Sequence, residues 1–266
     1  MKPSKLPAQP LRQIYASLLD DFPSEARLVK ARVGLHWTMV TLEIDGQKSA
    51  GLAASVTSDK PHGEADDVSA AGGLDQLEAA ELVQLVHSNS LTERALALAA
   101  LNAWLSLTLD SVGEQDALEL LRSKGKNKRI GLVGHFPFIP RLKPVARELL
   151  VFEKEPSHGE YPAAAVGDLL PSCQVVALTS MTLLNGTFDE LISNTQQAEY
   201  VMLLGPSTPL SPKLFEFGIN CLAGTLVEEI QPVATAVSQG ANYRQLHQIG
   251  TKLITLEAGQ DSRPLK

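Results

Sequence analysis

The second half of this 266-residue chain predicts an α/β fold: a Rossmann-like, doubly wound parallel sheet, preceded by a small α+β domain. Three observations carry that expectation. Six apolar segments, RIGLVG (129–134), ELLVFE (148–153), CQVVAL (173–178), EYVMLL (199–204), NCLAGT (220–225) and KLITL (252–256), are continuous rather than alternating, as strands covered on both faces are. Helical stretches such as DELISNT and LVEEIQPVATAVSQG separate them, and right-handed crossovers then give an open sheet. The segments that follow the strands on one side are rich in Gly, Ser, Thr, Asn and His, whereas the opposite connections are charged and ordinary.

The first hundred residues read differently. LRQIYASLLDDF carries Leu11, Ile14, Tyr15, Leu18 and Leu19 at helical spacing. RLVKARV, HWTMVTLEI and KSAGLAASV read as a small antiparallel meander, with Asp45-Gly46 as the hairpin turn. LDQLEAAELVQLVHS predicts one amphipathic helix, and Ser90 with Glu93 predicts a capping box opening the apolar helix RALALAALNAWLSL. Asn102 lies in the middle of that buried helix. It holds a neighbouring segment or presents its amide to a pocket, and both readings stay open. The boundary falls near Ser106–Glu114, giving domains 1–110 and 111–266.

Composition narrows the class. Hydrophobic residues at 44% and charged residues at 20% are the balance of a globular protein. No apolar run is long enough for a membrane span, and the N-terminus lacks the apolar core of a secretory signal, so the expectation is cytoplasmic. A net charge of −7 argues against nucleic acid as the partner. A small-molecule or metal ligand is expected instead, with no membrane partner, and self-association into a homo-oligomer stays open. Cys173 and Cys221 sit in apolar strands and read as buried thiols. The basic run RSKGKNKR (122–129) reads as a solvated connector.

Ligands of open parallel sheets bind beyond the carboxyl ends of the strands. Four such ends here are GHFPFIP, TSMTLLNGT, GPSTPLSP and AGT. In the second, Thr187 and Glu190 predict a capping box, which leaves Thr179–Gly186 as extra rim material turning at Asn185-Gly186. In the third, Ser211 is expected to cap a helix with Pro212 at its first position. That leaves Gly205, Ser207 and Thr208 to face a ligand. His135, just past the first strand, is the candidate for acid–base work or metal ligation. The G-x-G-x-x-G of dinucleotide sites is missing, yet Glu153 ends the second strand where an acidic side chain commonly takes ribose hydroxyls. A divalent transition metal and a nucleotide-like ligand (NAD or S-adenosylmethionine) therefore both stay open. His62, Glu64, Asp66 and Asp67 in PHGEADD (61–67), and His158 and Glu160 in SHGEYP, are weaker metal candidates. His36, His87 and His247, the last in a tail segment, carry less.

TSMTLLNGTFDELI, LLGPSTPLSP and INCLAGTLV, with GLHWTMVTLEIDGQ and ALALAALNAW further forward, resemble a prokaryotic family described as the putative heavy-metal chelation domain. The resemblance implies a front domain similar to the amino-terminal domain of enolase, then a Rossmann-like domain, with the site in the cleft between them. It implies ligand positions at Asn102, His135, Glu153, Asn185, Gly186, Thr187, Gly205, Ser207 and Thr208; Thr179 joins them from the rim reading. Metal handling is the function it implies. An enzyme acting on a small anionic or nucleotide-like metabolite in the same cleft is the alternative.

Overall fold

A computed structural model describes residues 6–56, 68–109 and 116–259. The chain opens with α1 (Pro10–Asp20), where Pro10 stands at a position whose N–H would be unbonded anyway, and it buries Ile14, Tyr15 and Leu18. Strands β1 (Arg27–Val33), β2 (Trp37–Ile44) and β3 (Gln47–Ala54) form the expected antiparallel sheet in the order β1-β2-β3. Asp45 and Gly46 both take positive φ, 51° and 76°, which is the turn geometry that matches strand twist.

The single helix expected over 74–88 is broken. A 3-10 turn at Leu74–Gln76 ends in extended backbone at Leu77, and α2 (Ala79–Gln84) starts anew. Glu78 caps it, its N–H donating to Glu81 Oε2 at 3.2 Å. A second 3-10 turn, Leu85–His87, then leads to α3 (Leu91–Leu107), which is buried along most of its length as its composition required. Ser90 Oγ caps α3 by accepting from Glu93 N at 3.3 Å.

The rest of the chain supplies α4 (Ala117–Gly125), β4 (Arg129–Val133), α5 (Ile139–Leu142), β5 (Glu148–Glu153), β6 (Tyr161–Pro162) and α6 (Val166–Leu169). These are followed by β7 (Val175–Thr179), α7 (Met181–Asn185), α8 (Phe188–Ser193), β8 (Tyr200–Leu204) and β9 (Cys221–Val227). The chain then runs through α9 (Ile230–Ser238) and α10 (Tyr243–Ile249) to β10 (Thr251–Glu257). The sheet order is β10-β9-β8-β7-β4-β5-β6. From β4 the chain winds outward through β5 and β6, then returns to β7 and winds the other way. The order reverses between β4 and β7, so the crevice at their carboxyl ends is the topological switch point.

All six strands read from the sequence are present, with two departures. β10 runs antiparallel to β9, because the α9–α10 hairpin brings the chain back rather than across. β6 is a two-residue edge that no apolar run announced. One face of the large sheet, through Val176, Leu178, Leu203 and Leu222, shares a continuous core with α1 and α3. The other face, through Ile130, Val175, Ala177 and Met202, packs under α4 and Leu142. The small sheet is itself enclosed, with Val40, Leu42 and Ile44 toward α3, and Met39, Ala50 and Leu52 toward α9. Its core and that of the large sheet are continuous. Cys173 and Cys221 are buried free thiols, and burial pushes both upward, Cys173 to about 11 and Cys221 to about 12.

Candidate functional site at the carboxyl edge of the sheet

Two glycines shape the edge. Gly134 (φ 110°) follows β4, and a Cβ there would stand 3.0 Å from Thr179 Cβ at the end of β7. Gly205 (φ 135°) follows β8, and a Cβ there would stand 2.6 Å from Ser180 Oγ. Neither site accepts a side chain, so the loops after β4 and β8 close onto Thr179 and Ser180 from both sides. Gly134, Thr179 and Gly205 therefore share one stretch of edge, centred on the switch point. Ser180, which sequence reading did not single out, is the buried contact between them.

His135 stands next to Gly134, with its side chain 62% exposed. Its Nδ1 lies 2.9 Å from Glu160 Oε1, and Glu160 Oε2 accepts the Ser157 N–H at 2.8 Å. The Ser157 N–H, then the His135 contact, hold the Glu160 carboxyl below the usual carboxylate range. Glu160 is thus an ionised, backbone-anchored acceptor aimed at the imidazole. The turn SHGE fixes Glu160 locally: Gly159 takes φ 86° and the Glu160 N–H returns to Ser157 O. Glu153 closes β5 opposite Pro162 of β6, and its Oε2 accepts from Lys154 N at 3.2 Å.

Other expected ligand residues do structural work. Ser207 is 1% exposed, and its Oγ accepts the Ala54 N–H at 2.8 Å, tying the loop after β8 to the end of β3. Asn102 Nδ2 donates to Leu52 O at 2.9 Å, which is the holding role rather than the presenting one, and its Oδ1 is buried without a partner. Thr208 is also 1% exposed, with Oγ1 unpartnered. Ser207 and Thr208 are therefore enclosed instead of facing open space.

The segment Thr179–Gly186 is not extra rim material. Met181–Asn185 is helical, because Thr182, Leu183 and Leu184 are buried against the front of the molecule. Leu183 O accepts from Tyr15 Oη at 2.9 Å, and Leu184 O accepts from Arg94 Nη1 at 3.0 Å. Gly186 ends that turn in the left-handed conformation. The capping box expected at Thr187 is replaced by an Asx turn, in which Asn185 Oδ1 accepts Thr187 N at 3.1 Å and Thr187 Oγ1 at 2.8 Å. α7 packs on α3, and a Cβ at Gly186 would stand 3.9 Å from Arg94 Nη1. Ser211 precedes a 3-10 turn (Pro212–Phe217) without a side-chain cap, and AGT lies inside β9 rather than beyond it.

The structure thus keeps His135, Thr179 and Gly205 at the edge and assigns Asn102 and Ser207 to packing. His62, Glu64, Asp66 and Asp67 lie outside the described residues. Among the described residues, no group of three or more His, Cys, Asp or Glu is placed to hold a metal ion. His247 belongs to α10, not to a tail, and its Nδ1 lies 2.9 Å from Thr251 O. His87 packs edge-on against Tyr15. Among the described residues, no helix is long and apolar enough to cross a membrane.

Fold and edge define a mixed α/β protein in which a mostly parallel seven-stranded sheet is joined to a small antiparallel one. The chain belongs to the family described as "Putative heavy-metal chelation", whose DUF364 model matches residues 116–255, and a second model with the same description, DUF4213, matches residues 15–105. The chain is 27% identical over 228 residues to an uncharacterized protein of Methanocaldococcus jannaschii, covering 83% of this chain and 86% of that one. It shares its fold with a DUF364-family protein of unknown function from Desulfitobacterium hafniense, at a TM-score of 0.80 and 24% identity, covering 94% of this chain and 100% of that one. A Pyrococcus horikoshii protein described in the same way superposes at 0.79 and 21% identity, over 93% and 99% of the two chains.

Proposed function

We propose that this protein binds a transition metal, carried as a small-molecule chelate, at the carboxyl edge between β4 and β7. His135 Nε2 would be the protein ligand. The observation that carries the reading is the 2.9 Å contact between His135 Nδ1 and Glu160 Oε1. A carboxylate on one ring nitrogen places the proton there and leaves a lone pair on the other, the arrangement that supports metal-bound imidazoles. Glu160 keeps its charge because Ser157 N–H and His135 both favour the ionised form.

The donor set favours a chelate over a bare ion. A structural metal site takes about four protein ligands, whereas the described residues offer no group of three. An ion that arrives already coordinated needs only one or two exchangeable positions filled. The polar edge at Thr179 and Gly205 would then meet the chelator, in the space between the units 1–110 and 111–266. The family description supports a metal cargo. A cytoplasmic setting fits the two buried free thiols.

The test is equilibrium dialysis of protein purified without chelators against nickel, cobalt, zinc and iron, each free and as a small organic complex. One equivalent should bind wild type, and His135→Ala should abolish it. Absence of stoichiometric binding by wild type would end the reading.

A second reading rests on a separate observation. The strand order reverses at β4/β7, and Glu153 ends the strand next to β4, the position from which an acidic side chain takes ribose hydroxyls. A nucleotide-like metabolite would place its ribose there, bound or acted upon. Thermal shift with NAD, other nucleotides and S-adenosylmethionine tests it. No stabilisation by any of them, or stabilisation that Glu153→Ala leaves intact, would count against it.

A further inference from the structure

The amino edge of the large sheet, where sequence reading expected only a solvated connector, holds a recess with a charge pattern of its own. A groove of ≈ 440 Å³ runs between the end of α4 and the α5–β5 connection. Arg122, Ser123, Lys126 and Asn127 form one wall, and Pro144 and Val145 the other, with Glu119 at one end. That volume is in the range of small-molecule sites, about 300–1,000 Å³.

Most of the basic run is spent elsewhere. Lys124 reaches Glu257 at 3.6 Å and lies over the Tyr200 ring, Lys128 pairs with Glu199 at 2.5 Å, and Arg129 pairs with Glu148 at 2.9 Å. None of those three lines the groove. Lys126 is exposed and has no acidic partner among the described residues. Arg122 and Arg141 share the single carboxylate of Glu119, at 2.9 and 3.6 Å. The Arg122 Nε–H is buried with no acceptor. Lys143, exposed, stands beside Pro144. Arg122 and Lys126 thus line the groove with the carboxylate of Glu119, which Arg141 also holds, in a protein whose net charge is −7. The carbonyl end of α4 also points here, but its effective charge is about half a unit and does not offset them.

The walls are joined by backbone hydrogen bonds, so the groove exists before a ligand arrives. Asn127 N–H donates to Val145 O at 3.0 Å, and Arg147 N–H to Lys128 O at 2.9 Å. Guanidinium, ammonium, hydroxyl and amide donors on one wall match the several oxygens of a phosphate group. The apolar wall, Pro144 and Val145, suits the organic part of the same molecule. We propose that this groove binds a small phosphorylated metabolite, a phosphate monoester of a sugar or nucleoside. The site is separate from the His135 edge and does not depend on the metal reading.

Isothermal titration of the full chain with ribose 5-phosphate, ribose and inorganic phosphate tests the proposal. Ribose 5-phosphate should bind saturably and ribose should not. Lys126→Glu should weaken binding by about tenfold or more. Ser123→Trp, at an exposed position, should fill the groove and abolish binding, while His135→Ala should leave it unchanged. Unaltered thermal unfolding would show that these variants remain folded. No saturable binding, binding that Lys126→Glu and Ser123→Trp leave intact, or equal affinity for inorganic phosphate and the ester would overturn the assignment.

Discussion

Asn102 and Ser207 grip the same free edge of β3, two residues apart. Asn102 Nδ2 reaches Leu52 O at 2.9 Å from α3, and Ser207 Oγ receives Ala54 N–H at 2.8 Å from the loop after β8. Residues 52 and 54 present their backbone groups to the same side of the strand, away from β2. Two side chains, one from each part of the chain, therefore finish an edge that would otherwise hold unpaired groups.

Each contact carries stability. Ser207→Ala strands the half-buried Ala54 N–H and should lower stability by about 1–3 kcal/mol. Asn102→Leu likewise leaves Leu52 O, in a fully buried place, without its donor, and removal of the unpartnered Oδ1 offsets only part of this, so it too should cost about 1–3 kcal/mol. Urea denaturation of both variants decides it. A loss well below about 1 kcal/mol for either variant would show that its contact does not hold β3.

Gly51 is where α3 presses on β3. A Cβ there would lie 2.2 Å from Ala99 O and 2.3 Å from Ala103 N, both backbone atoms of a buried helix. Gly51→Ala should therefore cost more than about 3 kcal/mol or prevent folding. Gly205→Ala should cost about 1–3 kcal/mol, since φ is 135° and Ser180 Oγ is in the way. Its double variant with Ser180→Gly should recover the steric part alone. Denaturation midpoints measure all three.

Glu93 should contribute acid sensitivity. Burial pushes its carboxyl upward, but Ser69 Oγ, Ser88 Oγ and Ser69 N–H outweigh this and leave it below the ordinary 4.5. A carboxyl lowered in the folded state stabilises fully above its unfolded pKa, and that stability is lost as pH falls through the folded value. Stability measured from pH 6 down to pH 3 should fall for wild type, with a shallower slope for Glu93→Gln. Parallel curves would remove Glu93 from the account.

For the metal reading, Glu160→Gln retains an oxygen near His135 but removes the charge. Affinity for the bound metal species should drop about 10–100-fold with the fold intact, as for other carboxylates behind a ligating imidazole. Equal affinity in Glu160→Gln would leave the His135–Glu160 contact without a part in ligation.

Much of this was legible along the chain. The core strands announced themselves because residues buried on both faces must be apolar at every position, as in Val175–Thr179 and Tyr200–Leu204. The hairpin turn was legible because few residue pairs tolerate positive φ twice in succession. Polar loop residues were harder to read. Ser207 and Asn185 look alike in a sequence, yet one secures a distant strand and the other closes a local turn. Glu160 was seen only as a weak candidate, since nothing local says that β6 will lie beside β5 and bring it to His135.

The sequence by itself determined the family, the α/β class, the apolar strands and the edge where polar groups gather, since these depend on residue type and spacing that local physics reads directly. Only the tertiary structure decided that Asn102 and Ser207 are structural, that Met181–Asn185 is a helix, that β10 is antiparallel and that Glu160 faces His135. Hydrogen-bond partners are chosen by whichever group folding brings within about 3 Å, and a polar side chain carries no mark of which distant partner that will be.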